Sequence, residues 1–556
     1  MGMIAPMRIV LVALALACFA AGPDNRAAVT LSIVGTSDLH GAALPRGGFG
    51  GLPLLAGYVN NLRAARAADG GAVLLIDSGD TFQGDVESNL SEGAFIVDAY
   101  NAMGYTAEAI GNHDFDFGAV DSAAARQLPG DLRGALKARA SHARYPFLAA
   151  NLIDESTGRA VDWPNVRPSI LREVDGINVG IVGVMTIDAL QSTLAANVQG
   201  LRIAPLASAI AANASKLRAA GADIVIVAAH AGGRCERFDQ PADLSSCESD
   251  SEIFRVARSL PRGAVDVIVA GHTHGGLAQQ VDGIAIIQAF SRGQSFGRVD
   301  LVFDRRAKRV VRMQPFAPHQ IVPAEYEGKA VVGDPAVVQA MAASLQRVHE
   351  LQATPLHVSL DAPIQRVGTS GSPLGNLFAE ALRAAVPGAD VAAINNAARG
   401  LRADLPEGAL TLGRLYDVFP FDNRVARITL SGAQLSRWLA GEIQQGRRGW
   451  LGISGVELRT RCLADGLHVD LFRAAGRIHD DDRLVAVTIG GPTLSGNLAS
   501  SDPVAGVGPI KNAPVVREVV EEWFSRRAHL TSRELDEATH RSSPSADAAA
   551  VDCVAR

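Results

Sequence analysis

Aromatic side chains are scarce in this chain, at 5% of 556 residues, and neither sign of charge dominates, the net charge being −6. The slight acidity leaves no basic surface that would argue for a nucleic-acid polymer as partner. Small nucleotides stay open, because metals and a few arginines can neutralise phosphate locally. Five cysteines are present with no C-x-x-C spacing, which argues against thiolate metal sites. Past the N-terminus no apolar run reaches the length of a transmembrane helix. What the chain does have is an apolar content of 48%, ordinary for an α/β protein. Its length is too great for one core, so two or more domains are expected.

The first residues read as an export signal. Arg8 is the only charge ahead of an apolar run over 9–17, and small residues follow through Gly22. That run is too short to span a membrane and matches a secretory segment removed near Ala20 or Gly22. The expected location is periplasmic or extracellular, with lipid attachment through Cys18 as an alternative. Removal would leave Cys235, Cys247, Cys462 and Cys553, an even number in an exported chain. Of three connectivities, the favoured one pairs Cys235 with Cys247 across a polar loop after His230. It pairs Cys462 with Cys553, tying down the C-terminal tail. Four free or partly paired thiols are the alternative.

Strand-like apolar runs at 29–34, 72–76, 223–229 and 265–270 each end at a polar motif, and 177–184 reads as another strand. Helical patterns over 52–66, 94–103 and 204–219 lie between them. This alternation predicts a layered α/β domain with near-parallel strands, whose ligands bind beyond the carboxyl ends of the strands. The expected organisation is a signal peptide over 1–22, a first domain over 29–320 and a linker over 321–354 that contains a helix at 335–352. A second domain over 355–527 and a polar tail over 528–556 complete it.

The motifs at the strand ends are Asp38-Leu39-His40-Gly41, Gly79-Asp80, Gly111-Asn112-His113-Asp114, Ala229-His230-Ala231-Gly232 and Gly271-His272-Thr273-His274. Together they supply imidazole, carboxylate and carboxamide, a set suited to two divalent cations that keep open positions for water and substrate. Asp38 and His40 are two apart, as are His272 and His274, so each pair could face one side of an extended backbone. Two cations about 3.5–4 Å apart need a shared anion, and Asp80 is the natural bridge. Gly41, Gly79, Gly111 and Gly271 would let the backbone approach a crowded centre. Any one motif alone would more often be a turn or a buried core histidine. Their order, strand-end placement and matching chemistry carry the joint reading.

In that order, Asp38-x-His40, Gly79-Asp80, Asn112-His113-Asp114-Phe115-Asp116, His230 and Gly271-His272-x-His274 resemble the N-terminal motifs of the calcineurin-like metallophosphoesterases. Within them the chain is similar to the exported 5′-nucleotidase family (bifunctional 5′-nucleotidase/UDP-sugar hydrolase type), over nearly the whole mature length. The resemblance implies a four-layer αββα metallophosphoesterase domain, a helical linker and a C-terminal α/β substrate-binding domain. It implies two divalent metals, zinc, manganese or similar. Asp38, His40, Asp80 and His274 would hold the first, and Asp80, Asn112, His230 and His272 the second. A metal-bound water would attack phosphorus in line. His113 would stay free of metal, stabilise the phosphoryl group and assist the leaving oxygen as an acid. Asp116 would orient His113 and favour its protonated form, or else simply cap a turn.

The resemblance continues through Ser372-Pro373-Leu374-Gly375-Asn376-Leu377, Gly400-Leu401-Arg402 and Val418-Phe419-Pro420-Phe421-Asp422-Asn423. Arg402 would contact substrate and Phe421 would stack on a nucleobase; a surface ion pair and a core position are the bland readings of the two. Departures are concentrated here. Arg399 intrudes ahead of Arg402, and Arg366 is the only arginine near the segment preceding Gly375. From Val487 to Gly496 the chain has neither the aromatic nor the acidic residue with which the family completes its base sandwich. The reaction class implied is therefore firmer than the substrate. It is metal-dependent hydrolysis of a phosphoric ester, foremost a nucleoside monophosphate cleaved to nucleoside and phosphate. The alternatives within that chemistry are a 2′,3′-cyclic nucleotide, a nucleotide-sugar pyrophosphate and a non-nucleotide phosphoester. A non-catalytic binding protein is an alternative of another class, and a thiosulfohydrolase is disfavoured by the intact Asn112–Asp116 motif. Oligomeric state is left open.

Overall fold

The computed structural model describes residues 28–120, 130–194, 196–368, 371–395, 400–420, 423–444, 451–463, 466–489, 508–509 and 513–531. The export segment, Cys18, Phe421, Cys553 and nearly all of the expected tail lie outside the described residues. Within the tail, His529–Leu530 pair in parallel with Ser359 and Leu360.

Two sheets face each other in the first domain. One has seven strands, with Ala28–Thr36, Ala72–Asp77 and Ala107–Ala109 running parallel. The other has six, with Ile177–Met185, Ile224–His230 and Val267–Ala270 parallel at its centre. Ile33, Ile76, Ile181, Ile226, Val269 and Ile287 fill the space between them. Strands covered on both faces read as continuous apolar runs, which is why these segments lack alternation. Helices Gly51–Asp69 and Ala94–Met103 pack on the outer face of the first sheet through Tyr58, Leu62, Phe95 and Tyr100. Leu206–Ala219 and Glu252–Ser259 cover the second through Ile210, Leu217 and Phe254. The result is four layers, αββα, with a smaller α/β domain beyond.

Helix Pro335–Gln352 begins at Asp334, whose side chain accepts from the Ala336 amide at 2.8 Å, with Pro335 in the first turn. Its Val337 and Met341 are buried in the first domain's core, and its Val348 in the second's. One helix thus anchors both units. The second unit has a five-stranded sheet in the order Leu451–Ser454, Val391–Asn395, Arg483–Ile489, Val425–Ser431, Gly508–Pro509. The Ser372 motif is structural here: the Ser372 hydroxyl caps helix Pro373–Ala385 by accepting from the Gly375 amide at 2.8 Å. Asn376 Oδ1 accepts from the Ile453 amide. Val86 and Leu90, from the short helix Val86–Ser91 that follows the Asp80 loop, also join the second unit's core. Asn89 donates to the Pro420 carbonyl at 2.6 Å.

Candidate metal centre

The carboxyl ends of parallel strands from both sheets converge on one point. Asp38 follows Thr36, Asp80 follows Asp77 and Asn112 follows Ala109; His230 ends its own strand, and His272 and His274 follow Ala270. Asp38, His40 and His274 place one donor atom each within 4.8 Å of one another, and so do Asp80, His230 and His272. Asp80 Oδ2 lies 3.3 Å from His230 Nε2 and 3.9 Å from His40 Nε2, between the two groups. Asn112 Oδ1 is 3.0 Å from both His230 Nε2 and His272 Nδ1.

The ligand pairs do not lie on extended backbone, as the two-residue spacing suggested. Asp38, His40, Asp80, His272 and His274 all have positive φ, between 48° and 73°. Such backbone is uncommon outside glycine and clusters where function imposes it. Tight left-handed turns fold each donor back over its own strand end, and neighbouring loops hold them there. Asp114 is one such hold, on the Asp80 loop. Its buried carboxylate accepts from the amides of Gly111 at 2.7 Å, Thr81 at 3.0 Å and Asp80 at 3.3 Å, clamping two ligand loops together. Gly111 is required by space, since a Cβ there would sit 2.3 Å from the Asp80 amide nitrogen and Oδ1.

The donor set fits cations. His40 Nδ1 lies 2.9 Å from the Gln83 carbonyl, and His230 Nδ1 2.8 Å from that of Ser78. A carbonyl only accepts, so Nδ1 carries the proton, and in the neutral rings Nε2 presents a lone pair. Those lone pairs face other acceptors: the Asp80 carboxylate, and the Asn112 oxygen aimed inward by its amide's bond to the Ser192 carbonyl. Acceptors aimed at acceptors require positive charge between them. Burial holds His40 down to about 3 and His272 down to about 4, keeping both rings neutral. Burial opposes a charge on His230, yet the Asp80 carboxylate outweighs it and lifts that ring to about 9, so a proton stands where a cation would.

His113 is set apart from these donors. Its backbone N–H donates to Asp80 Oδ1 at 2.8 Å, while its Nδ1 lies 2.6 Å from Asp116 Oδ2. Burial works against the charged ring, but Asp116 and then Asp80 outweigh it and raise His113 to about 9. Asp116 is steadied in turn by Thr193, whose hydroxyl donates to Oδ1 at 2.7 Å. Thr193 lies on a loop 77 positions away, and nothing in its local sequence marks it. Thr193→Val is expected to lower kcat about tenfold with metal content unchanged, reflecting roughly 1.4 kcal/mol of orienting hydrogen bond. An unaltered kcat would show that Asp116 orients His113 without help.

Arg402 is exposed on the second domain, its amide donating to the Val418 carbonyl at 2.7 Å and its carbonyl accepting from the Arg366 guanidinium. The turn ahead of Phe421 is braced by buried Arg517, whose guanidinium lies over the Tyr416 ring and donates to the Phe419 carbonyl and the Tyr416 hydroxyl. Cys235 and Cys247 form a disulfide. Cys462 is disulfide-bonded as well.

A cage of imidazole, carboxylate and carboxamide at the joint ends of two stacked sheets, with a further histidine beside it, outside the two donor groups, defines a metal-dependent phosphoester hydrolase. Residues 31–276 match the calcineurin-like phosphoesterase family and residues 352–480 the 5′-nucleotidase C-terminal domain. The chain thus carries a calcineurin-like phosphoesterase domain followed by a 5′-nucleotidase C-terminal domain. It is 26% identical over 496 residues to Endonuclease YhcR of Bacillus subtilis (strain 168), covering 87% of this chain but only 38% of that protein. It is 25% identical over 550 residues to Protein UshA of Yersinia enterocolitica, covering 90% of this chain and 92% of the relative. The structure of a 5′-nucleotidase precursor from Thermus thermophilus superposes with a TM-score of 0.59 at 21% identity, over 90% of this chain and 97% of that one.

Proposed function

We propose that this chain is an exported dimetal 5′-nucleotidase, which hydrolyses nucleoside monophosphates to nucleoside and phosphate. The observation that carries the reading is the pair of three-donor groups, with Asp80 between them and His113 beside them. When bound, divalent cations supply Lewis-acid stabilisation of phosphoryl charge and a nucleophile at neutral pH. Asp38, His40 and His274 would hold one cation, Asn112, His230 and His272 the other, and Asp80 would serve both. His113, tied at Nδ1 to Asp116, keeps Nε2 to donate to the phosphoryl group or the departing oxygen. Arg402 and Phe421 on the second domain receive the leaving nucleoside. Export is supported by the N-terminal apolar segment and by the Cys235–Cys247 disulfide, a bond that persists in oxidising compartments. Among the described residues no helix is long and apolar enough to cross a membrane.

The test is a substrate and metal panel. The mature protein is stripped with EDTA, then reloaded separately with manganese, zinc, magnesium or calcium. Each form is offered nucleoside monophosphates, cyclic nucleotides, nucleotide sugars and an aryl phosphate. Stripping should abolish turnover and reloading restore it, with a nucleoside monophosphate giving the highest kcat/KM. Turnover of the aryl phosphate with no preference for any nucleotide would overturn the nucleotidase reading. Inactivity with every metal would favour a binding role.

A further inference from the structure

The turn between strands Ile284–Ala289 and Ser295–Asp304 carries two bulky residues in the left-handed region, Phe290 at φ 56° and Arg292 at φ 57°. For large side chains this conformation is an outlier, and it persists only where surroundings impose it. Here the surroundings are the metal loops. The Phe290 amide donates to the Gly275 carbonyl at 2.9 Å, next to His274, and the Arg292 amide donates to the Asp38 carbonyl at 2.8 Å. The turn that carries both residues is therefore held directly against the loops of Asp38 and His274.

Phe290 is 39% accessible and is the one exposed phenylalanine among the described residues. Its ring meets half-buried Phe238 edge to face, with centroids 6.3 Å apart. A Cβ on Gly276 would lie 2.7 Å from one ring and 2.8 Å from the other, so a glycine there is what lets both close over the backbone beside His274. The Arg292 guanidinium is half exposed, with Asp85 at 3.6 Å. An exposed aromatic shelf with a cation beside it is a stacking and anion-binding surface.

We propose that Phe290, Phe238 and Arg292 form a second substrate subsite, on the first domain, which takes one substituent of a phosphodiester or pyrophosphate. An aromatic ring lies on the shelf and its adjoining anionic or polar group reaches Arg292. The inference rests on the phosphohydrolase reading of the metal cage. A phosphomonoester has a single organic substituent, which in the proposed function goes to the second domain; a diester or pyrophosphate carries a second, which the shelf at the metal rim is placed to take. In that reaction water adds to phosphorus and the P–O bond to one substituent breaks. That oxygen departs with a proton, and the other substituent remains on the resulting phosphomonoester.

The experiment compares kcat/KM for a dinucleoside monophosphate, a diester with two bases, against that for a nucleoside monophosphate. The wild type, Phe290→Ala, Phe290→Tyr and Arg292→Ala are measured in the metal-loaded full chain. Phe290→Ala should lower the diester-to-monoester ratio about tenfold, within the range expected for losing one stacked base, mainly through the diester KM. Phe290→Tyr should restore the ratio, and Arg292→Ala should lower it severalfold. A ratio within twofold of wild type in Phe290→Ala overturns the subsite. A wild type that hydrolyses monophosphates but no diester overturns it too, leaving the nucleotidase reading intact. Hydrolysis of the diester alone, with the same dependence on Phe290, sinks the nucleotidase reading and keeps the subsite.

Discussion

His113→Ala is expected to retain both metals and lose turnover by about 10²–10⁴-fold, the range for a positioned proton donor. The ring lies outside both three-donor groups, and its Nδ1 is held by Asp116 at 2.6 Å. What ties it to the cage is its backbone N–H, which donates to Asp80 Oδ1, and alanine keeps that N–H. The charge that Asp116 and Asp80 maintain on the ring against burial is the part alanine removes. Metal content per chain and kcat, measured on the same preparation, separate the two roles. Loss of either cation from His113→Ala would make the residue a ligand and reverse the assignment.

Asp80→Ala should produce the opposite pattern, with both cations lost together. Its Oδ2 is the carboxylate oxygen within 3.3 Å of one histidine nitrogen and 3.9 Å of another across the two donor groups. Two cations held close together repel strongly unless an anion lies between them. Removing the carboxylate also frees the His113 amide. Metal affinity and turnover should each fall on the order of 10³-fold or more, beyond the 10–100-fold typical of residues that only orient a ligand. Asp80→Asn, which keeps an acceptor for the His113 amide but not the charge, should resemble Asp80→Ala in metal content. Retention of two metals per chain in either variant would show that the cage closes without a shared carboxylate.

Much of the fold was legible because its signals are local. Continuous apolar runs marked the buried parallel strands, and Pro335–Gln352 reads as a helix from its periodicity, with a proline at its start. Asp116 lies three residues from His113, close enough for one turn of chain to join them. The spacing argument failed in one respect: Asp38 with His40 and His272 with His274 suggested extended chain, and left-handed turns are found instead. A period of two counts positions but carries no sign of φ, and only contacts from other loops hold aspartate and histidine in that strained region. Phe421 and Cys553 lie outside the described residues, so neither the base stack nor the second disulfide pairing is described.

The chemistry of the centre is written into the chain order itself. Every donor stands within four residues of a strand's carboxyl end, so its type and approximate place follow from local pattern. The tertiary structure alone decided which donors meet, because each group draws on strands from two different sheets. It also decided the supporting residues. Asp114 clamps loops that begin some thirty positions apart, Thr193 reaches Asp116 from 77 positions away, and Phe290 reaches the metal rim through a strained turn. Contacts of that kind leave no period or spacing in the sequence, since they depend on how the two sheets stack rather than on how either strand is made.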